Sequence, residues 1–165
     1  MTPVRRAPKL GRSNVEVDQS GKIERTQEDT VLAFANGHKY AIRIPGVVKR
    51  RALHFLRDRR RPVDSKKAIY NRMFAAALFL LLKDHLDRLE YIIVDVEYWG
   101  GEADILRILL PMIWRLDPYY SSTRISFRQI GKGSPAHDRA WAVHAGMERA
   151  DRVITDEDFM AVLLL

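Results

Sequence analysis

The 165-residue sequence contains no cysteine. This absence excludes disulfide bonds and metal sites built from thiolates. Because disulfides belong to oxidising compartments, a chain without cysteine fits an intracellular, cytoplasmic location best. Hydrophobic residues make up 47% of the chain and charged residues 30%, which is ordinary for a globular protein.

Long apolar segments are also missing. The longest run covers residues 73–82 and is flanked by Arg72 and Lys83, so it is too short to span a bilayer and predicts a buried helix. The first residues are basic but lack the apolar stretch of a secretory signal. We therefore expect no membrane association. Residues 1–13 combine Pro, Gly and basic residues, which predicts a flexible basic arm before one domain at 14–165.

Two common site motifs are absent as well. The histidines do not show the HExxH spacing of zinc hydrolases. The segment Gly131-Lys132-Gly133-Ser134 lacks the glycine spacing of a nucleotide-binding phosphate loop. We interpret Lys132 instead as a contact to a nucleic-acid backbone phosphate.

The net charge of +7 is unevenly distributed along the chain. Residues 49–67 contain nine Lys or Arg and two acids, whereas residues 83–104 contain seven acids and two basic residues. A basic stripe beside an acidic patch is typical of an enzyme that grips a phosphodiester backbone and holds a cation. A solvated helix face is the simpler alternative for the basic run. The predicted phosphate-binding residues are Lys49, Arg50, Arg51, Arg57, Arg59, Arg60, Arg61 and Lys132.

The hydrophobic pattern predicts five strands, at residues 14–18, 30–35, 40–44, 91–96 and 124–130. Residues 22–26 are interpreted as a strand extension. The pair Asn36-Gly37 indicates a hairpin between the second and third strands, so the first three strands are expected to be antiparallel. Helical crossovers make the last two strands parallel additions.

Helices are predicted at residues 47–61, 65–89, 103–116, 135–144 and 156–165. Pro111 lies inside the third of these and is expected to kink or split it.

Acidic residues lie at the ends of two predicted strands, and a polar pair opens a late helix. Asp18 follows the alternating run VEV, Asp95 follows the apolar run IIV, and His137-Asp138 lies in the first turn of the fourth helix. An ionised carboxylate beside a buried strand lowers folding stability unless it has a partner. Asp95 is therefore the strongest single candidate for a metal-binding or catalytic residue. Asp18 also fits a turn-forming residue, and His137 also fits a polar residue at a helix start.

With this order of elements the chain resembles the ribonuclease H-like superfamily of nucleases and resolvases, over roughly residues 14–150. The resemblance is carried by Asp18 in VEVDQSG, by Asp95 in IIVDVEY, and by His137 or Asp138 in SPAHDRA. It implies an α/β fold with a mixed five-stranded sheet, in which three antiparallel strands are followed by two parallel additions, flanked by helices.

The same resemblance implies a nuclease that uses Mg²⁺ or Mn²⁺ to cleave phosphodiester bonds in a structured or hybrid nucleic acid. Mg²⁺ prefers oxygen ligands and retains water, so two or three carboxylates suffice. Asp18, Asp95 and Asp138 are the implied metal ligands, and Glu97 and His137 are the implied assisting catalytic residues. Glu97 follows Asp95 by two positions, so both share one side of the strand if it continues that far. The choice between His137 and Asp138 as the third member stays open.

Two hypotheses from other classes remain. One is a non-catalytic nucleic-acid-binding module of the same fold, in which the acids are ordinary turn and cap residues. The other is a small α/β scaffold that binds a protein partner through the basic helix. DNA, RNA, hybrid and branched substrates are equally compatible with the sequence, and cleavage of a branched junction would favour a homodimer.

Overall fold

The computed structural model describes residues 11–59, 65–96 and 100–165. Within these ranges the strands are β1 (Ser13–Ser20), β2 (Thr30–Ala35), β3 (Tyr40–Ile44), β4 (Leu89–Asp95), β5 (Ile125–Arg128) and β6 (Arg152–Val153). The helices are α1 (Gly46–Arg59), α2 (Lys66–Leu82), α3 (Glu102–Leu116), α4 (Pro135–His144) and α5 (Asp156–Leu163). Most of the predicted basic arm lies outside the described residues, but Arg12 is inside them and pairs with Glu90 at 3.1 Å.

The strands form one mixed sheet in the order β5-β4-β1-β2-β3-β6. β1, β2 and β3 pair antiparallel, whereas β4 is parallel to β1 and β5 is parallel to β4. The predicted α/β class and the mixed sheet are therefore confirmed. Since β1, β3, β4 and β5 run in one direction, their carboxyl ends meet at the same edge of the sheet.

The predicted count of five strands is wrong, because β6 adds a sixth strand beside β3. The backbone amide of Ile154 donates to the carbonyl of Arg43 at 2.8 Å, and the carboxylate of Asp151 accepts from the amide of Ala41 at 2.8 Å. Two residues are too few to show the alternation that marks a strand in a sequence, so β6 was not predictable from the pattern.

Helices cover both faces of the sheet unequally. The main core lies between one face and α1, α2, α3 and α5, and contains Val15, Val17, Phe34, Ile42, Ile92 and Val94 from the strands. Of the described helices, α4 covers the other face, over a smaller cluster of Val31, Ala33, Ala41, Ala140 and Val143. Because neighbouring residues of a strand point to opposite faces, Asp18 lies on the face covered by α4.

Local differences from the predictions have simple causes. Residues 22–26 form turns, held by bonds such as the Arg25 amide to the Lys22 carbonyl at 3.0 Å, and they are not a strand extension. α2 ends at Leu82 instead of residue 89, and a short 3₁₀ helix at Leu86–Arg88 leads into β4. The predicted hairpin between β2 and β3 is present, and both residues of the Asn36-Gly37 pair have positive φ. Its loop spans residues 36–39 and is longer than the two-residue turn that this pair indicates.

Pro111 does not split α3, which continues from Glu102 to Leu116. The proline removes one backbone donor, but the buried residues Ile105, Leu109 and Ile113 anchor both halves of the helix in the core. Among the described helices, none combines the length and apolar character needed to cross a bilayer.

Candidate active site at the carboxyl edge of the sheet

Asp18 and Asp95 lie next to each other at the carboxyl edge of two adjacent parallel strands. Val17 of β1 pairs with Val94 of β4, and each aspartate stands one position beyond this pair. Paired positions of parallel strands point to the same face of the sheet. The two carboxylates therefore lie on the same side, and the negative charge of Asp95 acts on Asp18.

The carboxylate of Asp18 is buried, with 5% of the residue exposed. One of its oxygens accepts a hydrogen bond from the backbone amide of Gln19 at 2.7 Å, and the other lies 2.8 Å from Nδ1 of His137. Burial raises the pKa of Asp18 most strongly, the bonds from His137 and Gln19 lower it, and the charge of Asp95 raises it again. The net pKa is above its usual value of 3.8, so the ionised carboxylate is energetically strained in this position.

Asp95 is half-buried at the end of β4. Its Oδ1 accepts a hydrogen bond at 2.8 Å from the backbone amide of Ile130, which follows β5. Within the described parts of the chain, its other oxygen accepts no hydrogen bond. The carboxylate is thus held in place by one oxygen and retains lone pairs on the other for a ligand.

His137 reaches Asp18 because of how α4 begins. The hydroxyl of Ser134 accepts from the amide of Ala136 at 3.2 Å and caps the helix, and Pro135 occupies the first helical position, where its missing N–H costs nothing. The third helical position, His137, then stands over the end of β1. The His137 side chain is 38% exposed, so its second nitrogen, Nε2, remains open to solvent or substrate.

The other end of α4 is fixed to the same strand. Nδ1 of His144 lies 2.8 Å from the hydroxyl of Ser20, and the guanidinium of Arg43 donates to the carbonyl of Val143. Both ends of α4 are therefore held on the sheet, and the position of His137 relative to Asp18 is defined by more than one contact.

Asp138 does not join this group. It is exposed on α4, and it makes no hydrogen bond to Asp18 or Asp95. The structure therefore brings together Asp18, Asp95 and His137 and leaves Asp138 outside. Glu97 lies outside the described residues.

The oxygen donors that this edge offers to a hard divalent cation are the carboxylates of Asp18 and Asp95. In the described ranges, no group of three or more His, Cys, Asp or Glu residues could hold a metal ion. Two carboxylates nevertheless suffice for Mg²⁺, which keeps several waters and takes further oxygens from a phosphate. A cation between Asp18 and Asp95 would also offset the repulsion that raises the pKa of Asp18.

A cavity of about 420 Å³ opens beside Asp95. It is lined by Gln19 of β1, by Glu102 of α3, and by one face of α2 that carries Lys67, Tyr70, Asn71 and Phe74. These α2 residues were not predicted as site residues, although their spacing of three and four positions is that of one helical face. Lys67 brings a positive charge to the same cavity as Asp95.

Lys49 is buried, although it was predicted to be an exposed phosphate contact. Its side chain is fully buried, and its ammonium group donates to the carbonyls of Lys22 and Arg25 and to the hydroxyl of Thr30, at 3.2, 2.7 and 2.8 Å. Burial lowers the pKa of this ammonium to about 8. The prediction that Lys49 contacts phosphate is wrong, because all three of its donors are used inside the protein.

The other basic residues of α1 are exposed but differ in their partners. Arg50 donates to the carbonyl of Thr26 at 2.7 Å, and Arg51 pairs with Asp156. The remaining predicted phosphate contacts are placed as follows: Arg59 lies over the ring of Phe55 at 4.3 Å, Arg57 and Lys132 are exposed, and Arg60 and Arg61 lie outside the described residues.

Comparison with known proteins leaves the site to be interpreted from its own geometry. No family model matches the chain, and neither the curated proteins nor the solved structures include a significant match.

Proposed function

We propose that the chain is a nuclease of the ribonuclease H-like type that hydrolyses phosphodiester bonds with Mg²⁺ or Mn²⁺. The proposal rests on one observation: Asp18 and Asp95 converge at the carboxyl edge of adjacent parallel strands, with His137 hydrogen-bonded to Asp18. The strand order β5-β4-β1-β2-β3 supports it, because three antiparallel strands followed by two parallel ones is the arrangement that the resemblance implies. β6 is an addition to that arrangement.

Asp18 and Asp95 would hold the cation. When bound, the cation would neutralise phosphate charge and lower the pKa of a coordinated water. Asp95 is oriented by the amide of Ile130 and Asp18 by the amide of Gln19, so neither carboxylate needs to rearrange. Because these carboxylates are already oriented, no free energy is needed to reorganise them during the reaction, and this favours the transition state.

His137 would move a proton at this site. Nδ1 of the imidazole donates a hydrogen bond to the carboxylate of Asp18. Nε2 is therefore left as the atom that takes or gives a proton. Nε2 then acts on the attacking water or on the leaving oxygen of the phosphodiester. Asp18 orients the imidazole in the same way that a buried carboxylate orients a catalytic histidine elsewhere.

Three basic residues would hold the nucleic-acid backbone. Lys67 lines the cavity beside Asp95, and Lys132 is exposed two positions before the cap of α4. Arg57 lies on the exposed surface of α1. These groups would contribute sequence-independent, salt-sensitive affinity.

Cleavage of labelled nucleic acid tests the proposal. Purified protein with Mn²⁺ is incubated with single strands, duplexes, RNA–DNA hybrids and four-way junctions, and products are separated by electrophoresis. We expect Asp18→Asn and Asp95→Asn to lower the cleavage rate by at least about 100-fold, since each removes a metal ligand. Asp138→Asn is the matched control, because it removes a neighbouring exposed carboxylate, and its rate should equal that of the wild type.

A protein that binds these substrates but cuts none of them would contradict the proposal and favour the non-catalytic binding module. An equal loss of activity in Asp138→Asn and Asp95→Asn would show that the carboxylates act only through the net charge of the protein and not as metal ligands. Comparable substrate affinity in all three variants ensures that the loss of rate reports on chemistry.

A further inference from the structure

A second cavity lies away from the carboxyl edge, between α1, α2 and α3. Its volume is about 340 Å³, and it shares no residue with the cavity beside Asp95. The apolar part of its lining consists of Leu56, Ala68, Ile69, Ile108, Pro111, Met112 and Leu165. This volume is at the small end of the range for ligand pockets, about 300–1,000 Å³.

Four arginines line the same cavity, and no acidic side chain of the described residues does. They come from all three helices and are Arg59, Arg72, Arg107 and Arg115. The like charges of these arginines repel one another, and an anionic ligand would relieve this repulsion and pair with the guanidinium groups.

The four guanidinium groups are only partly occupied by the chain itself. Arg107 pairs with Asp104 at 3.0 Å on the exposed surface, and Arg72 donates to the carbonyl of Leu163 at 2.7 Å. Arg59 stacks on a ring, and Arg115 has no hydrogen bond or ion pair within the described chain. Three of the four therefore lack a carboxylate partner among the described residues.

We propose that this cavity is the docking site for an acidic peptide segment of a partner protein, with one large apolar side chain flanked by carboxylates. The apolar side chain would cover the floor formed by Ile69, Ile108 and Met112, and the carboxylates would pair with the arginines at the rim. Bidentate arginine–carboxylate pairs around a buried apolar anchor are the usual composition of a binding hot spot.

A nucleic-acid backbone fits the cavity less well. Phosphates would satisfy the arginines, but a phosphodiester chain brings no apolar group to cover the floor. Arg115 at the rim is also distant from the proposed cleavage site: Glu102 opens α3 at the sheet edge, and Arg115 lies about 20 Å further along the axis of that helix. The inference therefore goes beyond the proposed function and does not depend on it.

Fluorescence anisotropy with a defined peptide tests the proposal. The probe is a fluorescein-labelled peptide in which one phenylalanine is flanked by aspartates and glutamates, and the full chain is titrated into it. We expect saturable binding that Arg115→Glu weakens by at least about tenfold, because it replaces attraction by repulsion. Arg57→Glu is the matched control, since it makes the same charge change on α1 outside the cavity, and it should leave the affinity unchanged.

Two further probes separate the alternatives. Replacing the phenylalanine of the peptide by serine should weaken binding by about tenfold or more, because the floor then stays uncovered. A labelled single-stranded oligonucleotide should bind Arg115→Glu as tightly as the wild type, whereas Arg57→Glu should bind it more weakly, because Arg57 is a proposed phosphate contact.

The proposal is overturned by any of three results. The first is no peptide binding to the wild type, and the second is equal binding of the phenylalanine and serine peptides. The third is a loss of oligonucleotide affinity in Arg115→Glu that matches or exceeds its loss of peptide affinity, which would assign the cavity to nucleic acid. Because Asp95→Asn should bind the peptide normally, a failure of the nuclease proposal leaves this result unaffected.

Discussion

Nδ1 of His137 lies 2.8 Å from the carboxylate of Asp18, across 119 positions of the sequence. This contact joins the first turn of α4 to the end of β1 and supplies one of the two hydrogen bonds that Asp18 accepts. The bonds lower the pKa of Asp18, but burial and the charge of Asp95 outweigh them. Asp18 therefore costs folding stability in its ionised form, as is common for residues retained for function.

The first prediction concerns Asp18→Asn and pH. The pKa of Asp18 in the folded chain is raised above the value of 3.8 that applies to the unfolded chain. At pH values between the unfolded-state pKa and the folded-state pKa, the folded chain therefore binds more protons than the unfolded chain. Its contribution to the free energy of unfolding therefore falls as pH rises through that window. Asparagine cannot ionise, so the stability of Asp18→Asn relative to the wild type should increase from acidic to neutral pH. Urea denaturation without divalent cations at several pH values measures this difference.

Asp138→Asn is the control for this measurement, because Asp138 is exposed and makes no contact with Asp18. Its stability relative to the wild type should not show the increase with pH that is expected of Asp18→Asn. A relative stability of Asp18→Asn that is constant or falls with pH would contradict the assigned strain.

The second prediction concerns metal-linked stability. A cation that binds the folded chain and not the unfolded chain raises the melting temperature, by an amount that grows with the logarithm of the ratio of cation concentration to Kd. We expect Mg²⁺ or Mn²⁺ to raise the Tm of the wild type, and Asp18→Asn and Asp95→Asn to lose this shift. Differential scanning fluorimetry with increasing cation concentration measures it. The same shift in Asp95→Asn as in the wild type would mean that the cation binds elsewhere.

Much of the sheet was predictable because its strands are short and strongly patterned. All six residues of β2 are buried, as its unbroken apolar run predicts, and the apolar run of β4 places Asp95 at the strand end. The Asn36-Gly37 pair predicted the hairpin between β2 and β3 but not its loop, which has four residues in place of two. β6 was not predictable, because its pairing with β3 depends on tertiary contacts of two residues.

The candidate site was predictable only in part. Strand ends place Asp18 and Asp95, but the choice between His137 and Asp138 depends on the rotation of α4 about its axis, which its short sequence does not define. Lys49 was mispredicted because a lysine in a basic run is normally exposed. The three acceptors that bind its ammonium group lie in the segment before β2 and at the first residue of β2.

The third prediction concerns Gly21, which follows β1 with a φ of +76°. A Cβ at this position would lie 2.3 Å from the carbonyl oxygen of Asp29 and 3.0 Å from the imidazole of His144. Gly21→Ala should therefore lower the free energy of unfolding by about 2 kcal/mol or more, from backbone strain and the clash with a main-chain atom. Chemical denaturation measures the change.

Gly133→Ala is the matched control, since a Cβ there meets no described atom within 4 Å and the φ is not in the left-handed region. Its stability should stay close to that of the wild type. An equal loss of unfolding free energy in the two variants would show that the backbone conformation and close contacts of Gly21 are not the cause of the destabilisation.

The fourth prediction concerns the buried ammonium group of Lys49. Lys49→Met keeps the aliphatic volume but removes the hydrogen bonds from the ammonium group to the carbonyls of Lys22 and Arg25 and to the hydroxyl of Thr30. Hydrogen bonds from a charged donor are the stronger ones, so losing three of them should lower the free energy of unfolding by at least about 2 kcal/mol near neutral pH. Lys132→Met is the control, because the same substitution at an exposed lysine should have no effect.

The loss in Lys49→Met should also grow with pH. Burial lowers the pKa of Lys49 to about 8 from its usual 10.5, so between these values the unfolded chain binds a proton that the folded chain does not. The contribution of Lys49 to the free energy of unfolding therefore rises with pH across this window, and methionine lacks it. Urea denaturation of both proteins at several pH values between the two pKa values tests the sign. A stability difference that shrinks with pH would mean that the hydrogen bonds to the ammonium group outweigh its burial, because its pKa would then be raised.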